Sequence, residues 1–150
     1  MSRPGLATGF EDDSHSTGLL LWRLTNRWQA AQRAALKPFG LTHVQCVLLA
    51  SLAWLEGASD QPITQRMLAD QAATDPMMTS QVVRVLAANG WVTREPHSTD
   101  RRAVVLATTD AGRTLVNRAI VAVEGVDEQF FARLDPDRDA FTAALRALSG

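Results

Sequence analysis

Thr64, Asp75-Pro76 and Gly90 punctuate the middle of this chain so closely that only two short helices fit between them. Thr64 is a residue type that accepts a hydrogen bond from the first turn of a helix, and Ile63 is placed to staple onto Leu68. This helix is expected to end near Ala72, with Ala73-Thr74 as the turn. Asp75 supplies a second cap, and Pro76 stands at the first helical position, where a missing N–H costs nothing. Gly90 after Asn89 is the stop signal. Two short helices joined by a tight turn form a helix-turn-helix.

The second helix of the pair is expected to bury Met78, Val82, Val85 and Leu86. Met77, Ser80, Gln81 and Arg84 then fall on the opposite face, with Thr79 at its edge and Thr74 in the turn before it. These side chains suit a DNA major groove. Arginine takes guanine bidentately, glutamine takes adenine, serine and threonine reach a phosphate or base edge, and methionine touches a thymine methyl. The helix N-terminus adds free N–H groups and a partial positive charge that favour phosphate. A Ser-Gln-Arg face is equally at home in plain solvent, so the helix alone decides nothing.

The next segment narrows the choice. Residues 91–95 and 103–108 are rich in strand formers and flank a polar loop, Pro96-His97-Ser98-Thr99-Asp100-Arg101-Arg102, which reads as a hairpin. Arg94, His97, Arg101 and Arg102 gather at and beside this loop, directly after the candidate recognition helix. Arginines at the tip of a β-ribbon can enter a minor groove. His97 is read as a phosphate contact, Ser98 is counted among the DNA-binding residues, and Asp100 is placed to hold Arg102 by an ion pair.

On either side of this head lie longer helices. Residues 19–37 carry a seam of Leu21, Leu24, Trp28, Ala31 and Ala35 at alternating spacings of three and four, ended by Pro38-Phe39-Gly40. Thr42 and Gln45 form a capping box for a second helix. It is apolar nearly all round, with Val44, Val47, Leu48, Leu52 and Leu55 on one face and Cys46, Leu49, Ala50 and Ala53 on another, so it must be covered on both sides. Asp110 is expected to open a long helix reaching about Leu134, with Leu115, Ala119, Ala122, Val126 and Phe130 on one side and Gly125 as a weak point. Asp135-Pro136 is expected to cap a last helix holding Phe141, Leu145 and Leu148, and residues 1–16 read as a frayed lead-in. The first and long helices offer more apolar surface than a small head can cover, which predicts a two-fold dimer.

Composition excludes several classes. The 150 residues, 46% apolar and 21% charged, suit one soluble domain, and no apolar run approaches a membrane span. The N-terminus holds Arg3 but no apolar stretch, and is not a secretory signal. One cysteine, Cys46, fits a reducing cytoplasm; inside an apolar helix it reads as an inert thiol rather than a redox sensor. The net charge of −1 argues against a generic polyanion binder, although no acid occurs between Ser14 and Leu55. His15, His43 and His97 are scattered without metal-ligand spacing, and neither a metal nor a cofactor is expected. Asp12-Asp13 sits in the tail, no phosphate loop or activated nucleophile is present, and no enzyme is predicted. Trp22, Trp28 and Trp54 read as core, with the lining of a ligand crevice as the alternative.

The run Asp100-Arg101-Arg102-Ala103-Val104-Val105-Leu106-Ala107-Thr108-Thr109-Asp110-Ala111-Gly112 resembles the wing of the MarR family of bacterial winged-helix regulators, which reads D-x-R, an apolar strand, then L-T-x-x-G. Leu41-Thr42-x-x-Gln45 and Asn89-Gly90-Trp91-Val92-Thr93-Arg94 match the family pattern too, and the resemblance spans roughly residues 19–148. Thr108 replaces the usual leucine and Trp91 a smaller aliphatic. The resemblance implies a mainly α fold with a small β-hairpin wing, forming one domain over residues 1–150. A winged helix-turn-helix head would occupy about 41–109, with dimerisation helices at about 18–38 and 110–150. It further implies a homodimer on a pseudo-palindromic operator in double-stranded DNA, with Arg102 turned to the DNA beside Asp100. Repression relieved by a small aromatic or phenolic effector would follow. A winged helix that binds another protein, and a ligand-binding dimer without an operator, are the rival readings.

Overall fold

Capping residues set the start of most helices in the computed structural model, which describes residues 5–150. Ser16 accepts the Leu19 N–H at the head of α1 (Thr17–Leu36). Thr42 and Gln45 close a reciprocal capping box on α2 (His43–Ala58). Thr64 caps α3 (Gln65–Ala72) by accepting the Met67 N–H, and Asp75 caps α4 (Pro76–Ala88) by accepting the Met78 N–H. Ala73 takes the left-handed conformation at the end of α3, with φ of 54°, and this single residue makes the turn tight. Gly90, at φ 78°, stops the chain after α4.

The long helix α5 (Asp110–Phe130) opens at Asp110 as expected, with Thr109 as its cap, the hydroxyl accepting the Gly112 N–H. The last helix, α6 (Arg138–Leu148), follows Asp137 rather than Asp135-Pro136 and has no side-chain cap bond. Between them α5 ends four residues early and a 3-10 turn, Ala132–Leu134, completes the stretch. Part of the lead-in is also ordered. Asp12 caps a 3-10 turn over Asp13–His15, and Asp13 pairs with Arg23 of α1 at 2.8 Å. Arg3 lies outside the described residues.

A three-stranded antiparallel sheet completes the fold, in the order β1 (Ile63–Thr64), β3 (Val104–Thr108), β2 (Val92–Pro96). The hairpin strands β2 (Val92–Pro96) and β3 (Val104–Thr108) pair from Val92↔Thr108 to Pro96↔Val104. The sequence reading missed β1 (Ile63–Thr64), which pairs Ile63 with Leu106. Two residues have no period to read, so only the arrival of β3 alongside makes them a strand. Ile63 still shares a core with Leu68, as its stapling position suggested.

The requirement that α2 be covered on both sides is met. Leu48, Leu49 and Leu52 pack with Leu68, Val83, Leu86, Val92, Leu106 and Val116 in the head. Cys46 packs on the other side with Leu36 of α1, Leu41 and Ala119 of α5. Each such leucine contributes about 1.5–3 kcal/mol by leaving water. Trp54 is the exception on α2, 75% exposed, and Trp22 on α1 is 68% exposed, so neither is core in the single chain. The α1 seam divides in the same way. Gln32 and Leu36 are buried, Trp28, Ala31 and Ala35 half-buried, while Leu20, Leu21 and Leu24 lie open. Among the described residues no single helix is long and apolar enough to cross a membrane.

Candidate nucleic-acid interface

The cap and proline that start α4 also decide which of its residues point outward. Met77, Gln81, Arg84, Val85 and Ala88 form its exposed stripe, with Met77 at 73% exposure and Ser80 half-buried beside it. Val85, expected in the core, is 45% exposed, and Val83 takes its place inside with Leu86. Thr79, expected at the edge of the DNA-facing side, is fully buried. Its hydroxyl donates to the Asp75 carbonyl at 2.8 Å and accepts from the Thr74 hydroxyl at 2.7 Å. Thr74 and Thr79 therefore lock the turn to α4 and are spent as free donors. A one-residue shift in the buried face accounts for both corrections, because neighbouring residues sit about 100° apart around a helix.

The wing separates its arginines. Arg102, with Asp100 and Ala103, lines a groove of about 760 Å³ that Thr74, Pro76 and Thr79 line from the helix-turn-helix side. Arg94 and Arg101 instead share a shallower pocket of about 260 Å³ with Pro96. Arg94 is half-buried, with its Nε buried and unpartnered among the described residues. Asp100 does not pair with the Arg102 guanidinium as expected. Its carboxylate accepts the Arg102 backbone N–H at 3.0 Å, which fixes the chain and leaves the guanidinium free. Among the described residues Arg84, Arg94, Arg101 and Arg102 make no ion pair. His97 is half-buried and bonded within the turn, and Ser98 is exposed at its tip.

Gln65 and Arg66, in the first turn of α3, line the same groove and were not singled out from the sequence. The Gln65 side-chain oxygen is buried without a partner among the described residues. The signal was available: two polar residues directly after the Thr64 cap stand where helix N–H groups are free. What concealed them was the absence of periodicity in so short a turn. Arg66 and Arg102 thus place two cations on one groove beside the start of α4, which Asp70 and Asp100 also line.

A second polar cluster joins α1, α2 and α5. The Trp28 indole N–H and the Gln32 amide donate to one Asp127 carboxylate oxygen at 2.7 and 2.8 Å. The Gln32 amide also reaches the Val123 carbonyl at 3.4 Å, while its own oxygen is buried without a partner among the described residues. His43 meets the Trp28 ring edge-on at 5.0 Å. Burial holds the His43 pKa below its ordinary value, and Arg33 lowers it further against the opposing pull of Asp127. Burial pushes the Cys46 thiol up, as an inert core cysteine requires. Of Trp22, Trp28 and Trp54 only Trp28 sits at this junction; the exposed Trp22 and Trp54 make neither the expected core nor a crevice within the single chain.

The MarR family model matches residues 41–104, the stretch from Leu41 through the helix-turn-helix to β3. The HTH-type transcriptional regulator YdcH of Bacillus subtilis is 41% identical over 82% of this chain and 83% of its own. The chain belongs to the MarR family. The HTH-type transcriptional repressor Rv2887 of Mycobacterium tuberculosis is 32% identical over 93% of this chain and 97% of its own. Its solved structure, a complex with p-aminosalicylic acid, superposes with a TM-score of 0.67 at 30% identity, covering 90% of this chain and 99% of that one. The structure of BpsR from Bordetella bronchiseptica, described as a mechanism for regulation of DNA binding by 6-hydroxynicotinic acid, reaches 0.83 at 26% identity, covering 94% and 98%.

The MarR signature after the wing has a visible physical cause in this chain. Thr109 donates its N–H to the Trp91 carbonyl at 3.0 Å and its hydroxyl to the Gly90 carbonyl at 2.6 Å, tying the start of α5 to the start of β2. At that closeness a side chain on Gly112 would stand 2.0 Å from the Trp91 carbonyl oxygen, so only glycine fits. Thr108, the departure from leucine, is held by polar bonds. The Arg113 guanidinium donates to its hydroxyl at 3.0 Å, and its backbone N–H donates to Glu56 of α2 at 3.1 Å.

Proposed function

We propose that this MarR-family protein is a sequence-specific double-stranded DNA-binding regulator that acts as a homodimer, without chemistry of its own, in the cytoplasm. The observation that supports it best is the shared groove: Arg102 of the wing and Pro76 at the head of α4 line one concave surface, and Gln81 and Arg84 are exposed further along the same helix. In this reading residues 41–109 form the head. Met77, Ser80, Gln81 and Arg84 enter the major groove, and Arg102 takes the adjacent minor groove. Thr74 and Thr79 shape the turn instead of touching bases. Residues 18–38 and 110–150 form the dimer. The support there is the open apolar surface of Leu20, Leu21, Trp22 and Leu24 on α1, which leaves water only against a second copy. Two-fold symmetry then matches a pseudo-palindromic operator with half-sites about 34–36 Å apart.

Repression relieved by an aromatic acid or phenol is the finer reading. It is favoured by the junction at which the Gln32 oxygen is buried without a partner among the described residues, next to Trp28 and His43. A ligand that prefers one spacing of the heads lowers affinity for DNA that needs another. The test is fluorescence anisotropy with the duplex upstream of the protein's own gene against a scrambled duplex, at about 150 mM salt. Preference of about 10³-fold or more, at one dimer per site, is expected. Equal weak binding to both, repeated on other promoter fragments, refutes the DNA reading. Salicylate and hydroxybenzoate titrations into the complex then test release.

A further inference from the structure

One ring nitrogen organises the wing turn. The Nδ1 atom of His97 lies 3.2 Å from the amide nitrogen of Thr99 and 3.1 Å from that of Asp100, with the Thr99 hydroxyl at 3.3 Å. Backbone N–H groups only donate, so Nδ1 is the acceptor and the ring proton sits on Nε2. Asp100, held in this way, accepts the Arg102 N–H on its carboxylate at 3.0 Å and the Ala103 N–H on its carbonyl at 3.1 Å. The His97 N–H closes the loop on the Ala103 carbonyl at 3.0 Å. The backbone of Arg102 is thus placed by a relay that runs from the imidazole through Asp100. The Arg102 side chain, unpaired among the described residues, is left to the groove.

We infer that His97 is a positioning residue of the DNA interface: its Nδ1 holds the turn that presents Arg102, and its Nε2 does not bind phosphate. This replaces the phosphate contact suggested by the residue type alone, and it rests on the reading that the wing touches DNA. A turn already closed in the free protein does not have to be ordered on binding, which is what the relay supplies.

Amide replacements separate the two ring nitrogens. In His97→Asn the side-chain oxygen falls near the position of Nδ1, and in His97→Gln the amide falls near Nε2. Two measurements decide. On the free protein, imidazole ¹⁵N shifts report an Nε2–H tautomer. Amide exchange at Thr99 and Asp100 stays slow in wild type and His97→Asn, and becomes at least about tenfold faster in His97→Gln and His97→Ala. On the operator, His97→Ala and His97→Gln weaken binding by about tenfold and His97→Asn by less than about threefold. In an Arg102→Ala background, His97→Ala then costs nothing further, because the two act as one unit. Retained affinity in His97→Gln with loss in His97→Asn overturns the inference, as does full additivity with Arg102→Ala or an Nδ1–H tautomer. If Arg102→Ala itself leaves affinity unchanged, the wing reading fails, and the exchange data on free protein still decide what His97 holds.

Discussion

Replacing Gly112 with alanine sets two physical effects against each other with opposite signs. By helix propensity alone the change inside α5 is favourable by about 1 kcal/mol. The tertiary contact says the reverse. The new methyl carbon would stand 2.0 Å from the Trp91 carbonyl oxygen, 2.8 Å from its carbon and 3.0 Å from its Cα, all backbone atoms that cannot rotate away. Ordinary contact needs about 3.5 Å, so the start of α5 must retreat by more than about 1 Å from the start of β2. Overpacking of this kind costs about 1–3 kcal/mol. The retreat also breaks the two bonds from Thr109 to the Trp91 and Gly90 carbonyls, at about 1 kcal/mol each. After the helix term is returned, the net loss is about 3 kcal/mol, a fall in melting temperature of about 6–12 °C for a chain of this size. Circular-dichroism melts at one fixed protein concentration measure it, since dimerisation makes the midpoint concentration-dependent. Gly57→Ala, exposed in the last turn of α2 with open space around it, is the control and gains about 0.5–1 kcal/mol. A Gly112→Ala protein as stable as wild type, with Gly57→Ala stabilised, would refute the close-approach argument.

Arg84→Ala, on the exposed stripe of α4, is expected to cost about 1–3 kcal/mol of operator binding and to relax preference at one base position, read by anisotropy with single-base variants of the site. Arg102→Ala is expected to weaken all duplexes and lower the salt slope by about 1, read from the same titration across ionic strengths. Asp127→Ala strands the Trp28 and Gln32 donors and is expected to destabilise by about 2–4 kcal/mol, whereas Asp127→Asn keeps an acceptor and loses less; urea melts followed by tryptophan fluorescence distinguish them. His43 favours its neutral form in the folded state, so its folded pKa lies below the ordinary 6.5. Its share of stability is complete above that value and is lost as pH falls through the folded pKa, and a His43→Phe protein should lose less melting temperature than wild type between about pH 8 and 5.

Local chemistry was legible in the sequence wherever one residue type has one strong use. Thr42, Thr64, Asp75-Pro76 and Gly90 marked their helix ends because caps and stops depend on neighbours a few residues away. The two-sided burial of α2 was legible for the same reason, being written in periodicity. On α4, Met77, Gln81 and Arg84 are exposed as the spacing predicts, whereas Thr79 turns inward and Val85 outward, because a residue at the margin of an apolar face shifts by about 100° without changing the pattern. Only the folded chain could decide the rest. β1 exists because β3 comes to lie beside Ile63. Trp22 and Trp54 are exposed because elements distant in sequence leave them uncovered. Asp100 spends its carboxylate on the Arg102 backbone rather than on the guanidinium, and His97 turns Nδ1 to the backbone of the wing, since the hairpin brings unpaired N–H groups within reach. Gly112 faces the Trp91 carbonyl, twenty-one positions earlier, and no local rule measures a distance across that separation.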